Sequence, residues 1–150
     1  MADKHLYIIS GPNGAGKTTA SYTILPKILQ CNEFVNADEI ARGLSPFNQE
    51  SVAIEAGRLM LKRISELLQK NDSFSIETTL STRSYFHLVE KSHQQGYDVT
   101  LLYFWLKSPQ QAIERVAERV ATGGRDQETT IKDNEHFKII EFKFRKLKIS

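Results

Sequence analysis

The sequence predicts an α/β fold in which helices cover both faces of a mostly parallel sheet. Apolar runs of strand length alternate with helical patterns along the 150 residues, and strands separated by helices are typical of parallel sheets. A glycine-rich loop also joins the first predicted strand to the first predicted helix. A chain of this length makes one domain with a sizeable core.

Four strands are predicted, over residues 6–10, 34–36, 74–77 and 99–106, and a fifth is not clear. The last of the four is the best defined, because eight residues without a charge are expected of a strand covered on both faces. The first is a short apolar run that leads into the glycine-rich loop.

The longest predicted helix covers residues 49–69, where apolar residues recur at helical spacing. We interpret this stripe as core packing. Its members are Ala53, Ala56, Met60, Ile64, Leu67 and Leu68. The first helix, which follows the loop, cannot continue normally through Pro26. Residues 40–47 are predicted to be a connecting segment, with Gly43 and Pro46 as breakers.

Two further helices have recognisable ends. Residues 84–95 precede Gly96, a favourable residue just after a helix. Another helix begins at Ser108, an N-cap residue followed by proline at the first helical position, and ends at the two glycines 123–124.

The segment after residue 124 is the least specified part of the chain. Four apolar side chains would share one helix face, namely Phe137, Ile140, Phe144 and Leu147. Residues 138–144 are also compatible with an edge strand, and periodicity does not decide between the two. We slightly favour the helix. Because an open sheet edge exposes apolar surface, we expect the residues after 136 to pack on the core.

Residues 11–18 match the pattern of a phosphate-binding loop: a glycine, four residues, then Gly-Lys-Thr. The glycines let the backbone approach a ligand closely, and its N–H groups bind anions together with the following helix. Lys17 is a catalytic candidate that would reach the β- and γ-phosphates, and the Thr18 hydroxyl would bind Mg²⁺. The predicted nucleotide-binding residues are Gly11, Pro12, Asn13, Gly14, Ala15, Gly16, Lys17, Thr18 and Thr19. A glycine-rich turn without a ligand is disfavoured by the strand before it and the helix after it.

Composition limits the function classes. The chain has 20 Lys and Arg against 18 Asp and Glu, so its charge does not favour a nucleic-acid partner. Cys31 is the only cysteine, which excludes an internal disulfide and a multi-cysteine metal site, and the four histidines show no ligand spacing. The sequence has no signal peptide and no apolar run of about 18 residues, so we expect a cytoplasmic protein without a membrane partner.

In an open parallel sheet, ligands bind at the carboxyl ends of the strands. Asp38 follows the second predicted strand, where it is either the catalytic base that accepts a substrate proton or the N-cap of the following turn. Glu77 ends the third strand. It would hold a substrate hydroxyl, support Mg²⁺ through a water, or accept a hydrogen bond from a loop N–H. Thr79, Ser81 and Arg83 are predicted to line an acceptor pocket, although each alone is also an ordinary polar loop residue.

Phosphoryl transfer needs positive charge around the migrating group, and arginine commonly supplies it. Arg115 and Arg119 lie one turn apart on a predicted helix, and Arg125 follows the two glycines. This layout predicts a mobile lid. The alternative is a solvated, salt-bridged helix face on which these arginines pair with Glu114 and Glu118.

Five segments occur in an order that is specific to one family. They are residues 7–19, 35–38, 51–58, 77–81 and 114–116, within a match that is nearly continuous from about residue 6 to residue 124. These segments resemble the zeta-toxin-like P-loop kinases. The resemblance implies a three-layer, Rossmann-like P-loop kinase core that phosphorylates a small hydroxylated acceptor with ATP and Mg²⁺.

In zeta toxins the acceptor is the 3′-hydroxyl of UDP-N-acetylglucosamine, and the resemblance also suggests a protein antitoxin as partner. Carried over to this sequence, it implies that Asp38 is the base. It also implies that Glu77 and Thr79 lie on the acceptor side and that Arg119 and Arg125 belong to the lid.

The chain departs from this family after residue 124. Family members follow the double glycine with a histidine and a proline, then an arginine-rich helix and a final core strand. Here residues 125–128 are Arg-Asp-Gln-Glu, and a lysine-rich tail follows. We therefore expect a kinase core over residues 1–124 and a divergent, truncated or replaced tail over 125–150 that packs on the same domain. Two functions stay open: an ATP-dependent kinase, and a nucleotide-binding module with little or no turnover.

Overall fold

The computed structural model describes residues 3–11, 17–78, 84–106, 114, 117, 121 and 137–143. Five strands lie in these ranges: β1 His5–Ser10, β2 Phe34–Val35, β3 Phe74–Thr78, β4 Asp98–Leu106 and β5 Phe137–Lys143. They form one sheet in the order β2-β3-β1-β4-β5. The pairs β1–β3, β1–β4 and β2–β3 are parallel, and only the pair β4–β5 in this described sheet is antiparallel. The predicted α/β fold with a mostly parallel sheet is confirmed.

The described helices are α1 Lys17–Thr23, α2 Ala37–Leu44, α3 Ala53–Lys70 and α4 Ser84–Gln94, and a 3₁₀ turn, Gln49–Val52, precedes α3. The α3 helix with its preceding turn corresponds to the longest predicted helix. The α4 helix ends before Gly96, whose φ of 86° is favourable for glycine alone, as predicted.

The α1 helix continues into a π-helical turn, Ile24–Ile28, around Pro26. Proline has no N–H to donate and its ring crowds the preceding turn, so a regular α-helix is not maintained there. The wider turn is closed by the Leu29 N–H, which donates to the Ile24 carbonyl oxygen at 2.9 Å. The expected interruption at Pro26 is confirmed.

Apolar side chains cover both faces of the sheet. One cluster joins α3 to the strands, and its buried members include Met60, Ile64, Leu67, Ile8, Phe74 and Val99. A second cluster joins α1 and the π-helical turn to the opposite face, through Ala20, Ile24, Leu25, Ile9 and Leu102. Each large side chain contributes about 1.5–3 kcal/mol when buried. Of the predicted α3 stripe, Ala53 is exposed because it lies at the first turn of the helix, beyond the core.

The prediction of a connecting segment over residues 40–47 is wrong for its first half, because α2 runs to Leu44. Asn36 caps the helix, and Ala41 and the partly buried Ile40 give it an apolar face against the core. The helix passes through Gly43, which costs about 1 kcal/mol relative to alanine, less than the cap and the buried face together provide. Chain direction changes only near Pro46, after the helix.

The preference for a helix in the tail is wrong, and the edge-strand alternative is right. Residues Phe137–Lys143 pair with β4, so that Leu102 lies opposite Glu141 and Leu106 opposite Phe137. Without β5, β4 would present a row of unpaired N–H and C=O groups at the sheet edge. Pairing with β5 satisfies the hydrogen-bonding groups of β4. The apolar periodicity of the tail cannot reveal this requirement, because the unpaired groups belong to β4 and not to the tail.

Several predictions fall on residues that the structure does not describe. These are the helix beginning at Ser108, of which the structure describes residues 114, 117 and 121 alone, the lid arginines Arg115, Arg119 and Arg125, and the ends of the proposed tail motif at Phe144 and Leu147. The division into a core over 1–124 and a tail over 125–150 stays a prediction.

Deletion of residues 137–150 should open the β4 edge and destabilise the protein. Each backbone hydrogen bond that is lost contributes about 0.5–1.5 kcal/mol, and an open strand edge promotes aggregation. Thermal denaturation and size-exclusion chromatography measure both effects. The control is deletion of residues 144–150 alone, which leaves β5 in place. A 137–150 deletion that is as heat-stable and monomeric as the parent would show that β5 is dispensable.

Candidate functional site

The carboxyl ends of three parallel strands meet at one edge of the sheet. There, β1 leads to Gly11 and then to α1, β2 leads to Asn36 and α2, and β3 ends with Glu77 and Thr78. The strand order places β3 between β1 and β2, so the ends of all three lie side by side. This is the edge at which open parallel sheets bind ligands.

Lys17 is the first residue of α1 and is buried. Its Nζ donates a hydrogen bond of 2.7 Å to the Gly11 carbonyl oxygen at the start of the loop. Gly11 has a φ of 148°, a conformation that residues with a side chain rarely adopt, which explains glycine here. The ammonium group is therefore held beside the loop, where a phosphate oxygen is a stronger partner than a carbonyl.

Glu77 is the centre of a hydrogen-bonded cluster. The Thr18 hydroxyl donates to its two carboxylate oxygens at distances of 3.1 and 3.3 Å, and the Asn36 side-chain amide donates to Oε2 at 2.9 Å. In the described part of the chain, the donors to Glu77 are thus side chains from α1 and from the residue before α2. One prediction was that a loop N–H would donate to Glu77, and no such donor is found among these residues. Glu77 therefore lies next to the predicted metal-binding hydroxyl.

Burial raises the pKa of Glu77 above its ordinary value. The hydrogen bond from Thr18 and the Lys17 ammonium group oppose that shift, while the negative charges of Asp38 and Glu39 add to it. The carboxylate is thus held among two further acidic groups and one cation. Any cation bound beside it would lower its pKa, because opposite charge favours the ionised form.

Asn36 connects two of these elements and was not among the predicted site residues. It is buried; its Oδ1 accepts a hydrogen bond of 2.9 Å from the Asp38 N–H, and its amide donates to Glu77. The first contact caps α2 and the second fixes the start of that helix against the end of β3. An asparagine between a strand and an apolar-periodic segment is an N-cap signal, which could have identified the first role but not the second.

The interpretation of Asp38 as a helix N-cap is wrong. Asn36 is the cap, and Asp38 is the second residue of α2. Its side chain is exposed at the same sheet edge as Glu77, close enough to raise the pKa of Glu77 by repulsion. The structure therefore leaves the Asp38 carboxylate accessible to a ligand.

The remaining predicted residues divide into two groups. Thr19 is an exposed residue of α1. The others lie outside the described residues: Pro12, Asn13, Gly14, Ala15, Gly16, Thr79, Ser81, Arg83, Arg119 and Arg125. Their roles stay predictions.

The oxygen groups of Thr18 and Glu77 fit Mg²⁺, which takes few protein ligands and keeps phosphate oxygens and waters. Among the described residues, no group of three or more His, Cys, Asp or Glu side chains could hold a metal ion. A protein-only metal cage is therefore not found in these ranges. Within the same ranges, no helix combines the length and apolar character needed to cross a bilayer.

Comparison with protein families gives a match over most of the chain. The sequence model of the AAA domain family covers residues 6–138. Among curated proteins, an uncharacterized protein of Haemophilus influenzae is 27% identical over 114 residues, which make up 76% of this chain and 79% of that protein.

Two solved structures share the fold. A Chloroflexus aurantiacus protein named as a putative kinase has a TM-score of 0.56 and 19% identity, over 84% of this chain and 72% of that one. A chain of the PezAT chromosomal toxin–antitoxin system of Streptococcus pneumoniae has a TM-score of 0.59 and 21% identity, over 69% of this chain and 47% of that one. At these identities the likeness shows the fold alone, an α/β, P-loop kinase-like fold.

Replacement of Asn36 by alanine should lower the free energy of unfolding by about 1–2 kcal/mol, because α2 loses its cap and the Glu77 carboxylate loses a donor. Urea denaturation measures the change. Asn48→Ala is the matched control, since Asn48 precedes the 3₁₀ turn without a capping hydrogen bond from its side chain. Equal effects of the two substitutions would contradict the connecting role of Asn36.

The raised pKa of Glu77 predicts a pH-dependent stability. Between the ordinary glutamate pKa and the raised one, the folded state binds more protons than the unfolded state, so stability falls as pH rises through that range. Glu77→Gln should remove this loss, whereas Glu55→Gln, at an exposed site, should not. Urea denaturation of the nucleotide-free protein between about pH 4 and pH 8 measures the profiles. Parallel profiles for wild type and Glu77→Gln would rule out the shift.

Proposed function

This chain belongs to the AAA domain family, and we propose that it binds ATP with Mg²⁺ and transfers the γ-phosphoryl group to a hydroxyl of a small molecule. The observation that carries the proposal is the grouping of Lys17, Thr18, Asp38 and Glu77 at the carboxyl ends of β1, β2 and β3. A phosphate-binding lysine, a metal-binding hydroxyl and two carboxylates are the groups that phosphoryl transfer uses.

The nucleotide side of the proposed site begins at Gly11. The Lys17 ammonium group exchanges its 2.7 Å contact with the Gly11 carbonyl for the β- and γ-phosphates, and the backbone N–H groups of the loop bind the same oxygens. The Thr18 hydroxyl, which donates a hydrogen bond to Glu77, would also be a ligand for Mg²⁺. Bound Mg²⁺ would neutralise charge on the β- and γ-phosphate oxygens.

The acceptor side of the proposed site is defined by Asp38. Its exposed carboxylate accepts the proton of the acceptor hydroxyl, whose oxygen attacks the γ-phosphorus. The bond from that phosphorus to the oxygen bridging it to the β-phosphorus breaks, and ADP leaves. Arg119 and Arg125 are proposed to close over the phosphates as the lid, and Thr79, Ser81 and Arg83 to contact the acceptor.

A UDP-N-acetylhexosamine is the acceptor that the resemblance to zeta toxins supports, and an antitoxin protein is the corresponding partner. The shared fold with a chain of the PezAT toxin–antitoxin system supports this choice, although the present chain spans only 47% of that relative. We place the activity in the cytoplasm, without a nucleic-acid or membrane partner.

A second candidate function is nucleotide binding with little or no turnover. The observation that favours it is the sequence after residue 124, which departs from the zeta-toxin pattern at the segment that would supply part of the lid. In that case the loop still binds the triphosphate, and the protein acts through the bound state alone.

Measurement of ATP consumption and phosphorylated product with a panel of nucleotide sugars distinguishes these functions. Asp38→Asn should lower transfer by roughly 10²-fold or more while leaving ATP binding and the melting temperature nearly unchanged, because only the proton acceptor is removed.

Lys17→Ala should remove most of the affinity for an ATP analogue without unfolding the protein.

The control variant is Asp72→Asn. Asp72 is an exposed aspartate just before the amino end of β3, whereas the proposed site lies at the carboxyl end of that strand. It should retain full transfer. Transfer by Asp38→Asn at the wild-type rate would eliminate the base assignment. ATP binding without any transfer by the wild type would instead support the binding module.

A further inference from the structure

The unit that carries Asp38 lies at one edge of the described sheet. It consists of β2, which has two residues and pairs with β3, and of the eight-residue helix α2. Ala41 is buried and Ile40 packs against the core, but Asp38 lies in the first turn of the helix and is exposed. A displacement of about 1 Å at a reacting group can lower a rate by about 10²-fold. The orientation of this first turn therefore matters for the proposed base.

One oxygen atom of Glu77 joins the two sides of the proposed site. Oε2 accepts a hydrogen bond from the Thr18 hydroxyl at 3.1 Å and another from the Asn36 amide at 2.9 Å. Thr18 lies on α1, on the nucleotide side, whereas Asn36 precedes α2, on the acceptor side. Because both donors share one acceptor atom, a change in the position of that atom acts on both hydrogen bonds.

Asn36 connects this oxygen to Asp38 through its second polar atom. Nδ2 donates to Glu77, and Oδ1 accepts a hydrogen bond of 2.9 Å from the Asp38 N–H. The amide group is planar, so its two polar atoms keep a fixed distance and move together. The side chain is also buried, which excludes most of the water that would compete for these bonds. A movement of the Glu77 carboxylate therefore reaches the backbone of α2.

Ligand binding at Thr18 acts on the first of these hydrogen bonds. A hydroxyl whose oxygen is bound to Mg²⁺ is a stronger donor, because the cation withdraws electron density from the O–H bond. In the proposed complex the Thr18 hydroxyl is such a ligand and still donates to Glu77. The carboxylate is then held in one orientation, and the acceptor of the Asn36 amide is held with it.

A second contact between α1 and α2 bypasses Glu77. The Tyr22 hydroxyl donates to the Glu39 carboxylate, and 56% of Tyr22 is exposed. Glu39 also binds Arg42 at 3.0 Å within α2. This contact lies at the surface and includes no atom of the buried connection. It therefore provides a matched control, because it joins the same two helices by another route.

We infer that Asn36 is a positioning residue: through Glu77, its side chain fixes the start of α2, and with it Asp38, when ATP and Mg²⁺ bind. The inference rests on the proposed function and adds regulation to it, because the base is held in its reacting position only when the nucleotide side is occupied. By linkage, an acceptor that binds the same arrangement of α2 increases the affinity for the nucleotide.

The test is NMR of the full chain, in which Mg²⁺ is added to protein saturated with a non-hydrolysable ATP analogue. In wild type, Mg²⁺ should shift the amide signals of residues 37–40, including the Asp38 N–H that donates to Asn36. Asn36→Ser separates the two roles, because serine caps a helix about as well as asparagine but is too short to reach Glu77. In this variant the shifts in α2 should be largely lost, whereas the amide of Thr19 in α1 should shift as in wild type.

Tyr22→Phe is the matched control, since it removes the other contact between α1 and α2 and keeps the ring against Phe34. It should retain the shifts in α2. In the transfer assay Asn36→Ser should lower kcat about tenfold with little change in KM for ATP, while Tyr22→Phe should keep the wild-type kcat. Melting temperatures of both variants show that the measurements are made on folded protein.

Shifts in α2 that are lost in Asn36→Ser and retained in Tyr22→Phe support the coupling. Equal shifts in Asn36→Ser and wild type would overturn it, as would the absence of shifts in α2 when wild type binds the analogue with Mg²⁺. Loss of the shifts in both variants would overturn the assignment to Asn36. Coupling without phosphoryl transfer counts against the proposed function and not against this inference, whereas a wild type that does not bind the analogue contradicts both.

Discussion

The site depends on the hydrogen bonds that converge on the Glu77 carboxylate. Thr18 donates from α1 and Asn36 donates from the start of α2, so one side chain at the end of β3 connects three elements. Asn36 extends this connection, because its other side-chain atom caps the helix that carries Asp38. The position of Asp38 relative to Thr18 of α1 is therefore set through Asn36 and Glu77.

This arrangement brings like charges together. Glu77, Asp38 and Glu39 lie close enough to interact; Lys17 opposes the raised pKa of Glu77, and Arg42 pairs with Glu39 at 3.0 Å. Such a cluster costs stability, and a cation bound beside it would reduce the repulsion between the carboxylates. Strained or repulsive groups of this kind are common where a protein binds ligands, because stability and function place different demands on the same residues.

The two edge strands of the described sheet, β2 and β5, differ in length. At one edge β5 pairs along β4 from Thr100 to Leu106 and satisfies its backbone groups. At the other edge of the described sheet, β2 has only two residues. A short edge strand resists pairing with another chain.

The sequence by itself determined the features that depend on neighbouring residues. Residues 11–18 match the pattern of a phosphate-binding loop. The apolar runs and the α3 stripe specify four strands, their order along the chain and the α/β class. Tertiary structure decided the rest. Residues 137–143 form the strand β5 because pairing satisfies the backbone groups of β4. Asn36 fixes the start of α2 against β3 because its amide donates to Glu77, 41 residues away. Local periodicity and capping patterns cannot report such contacts, because their energy comes from groups that only folding brings together.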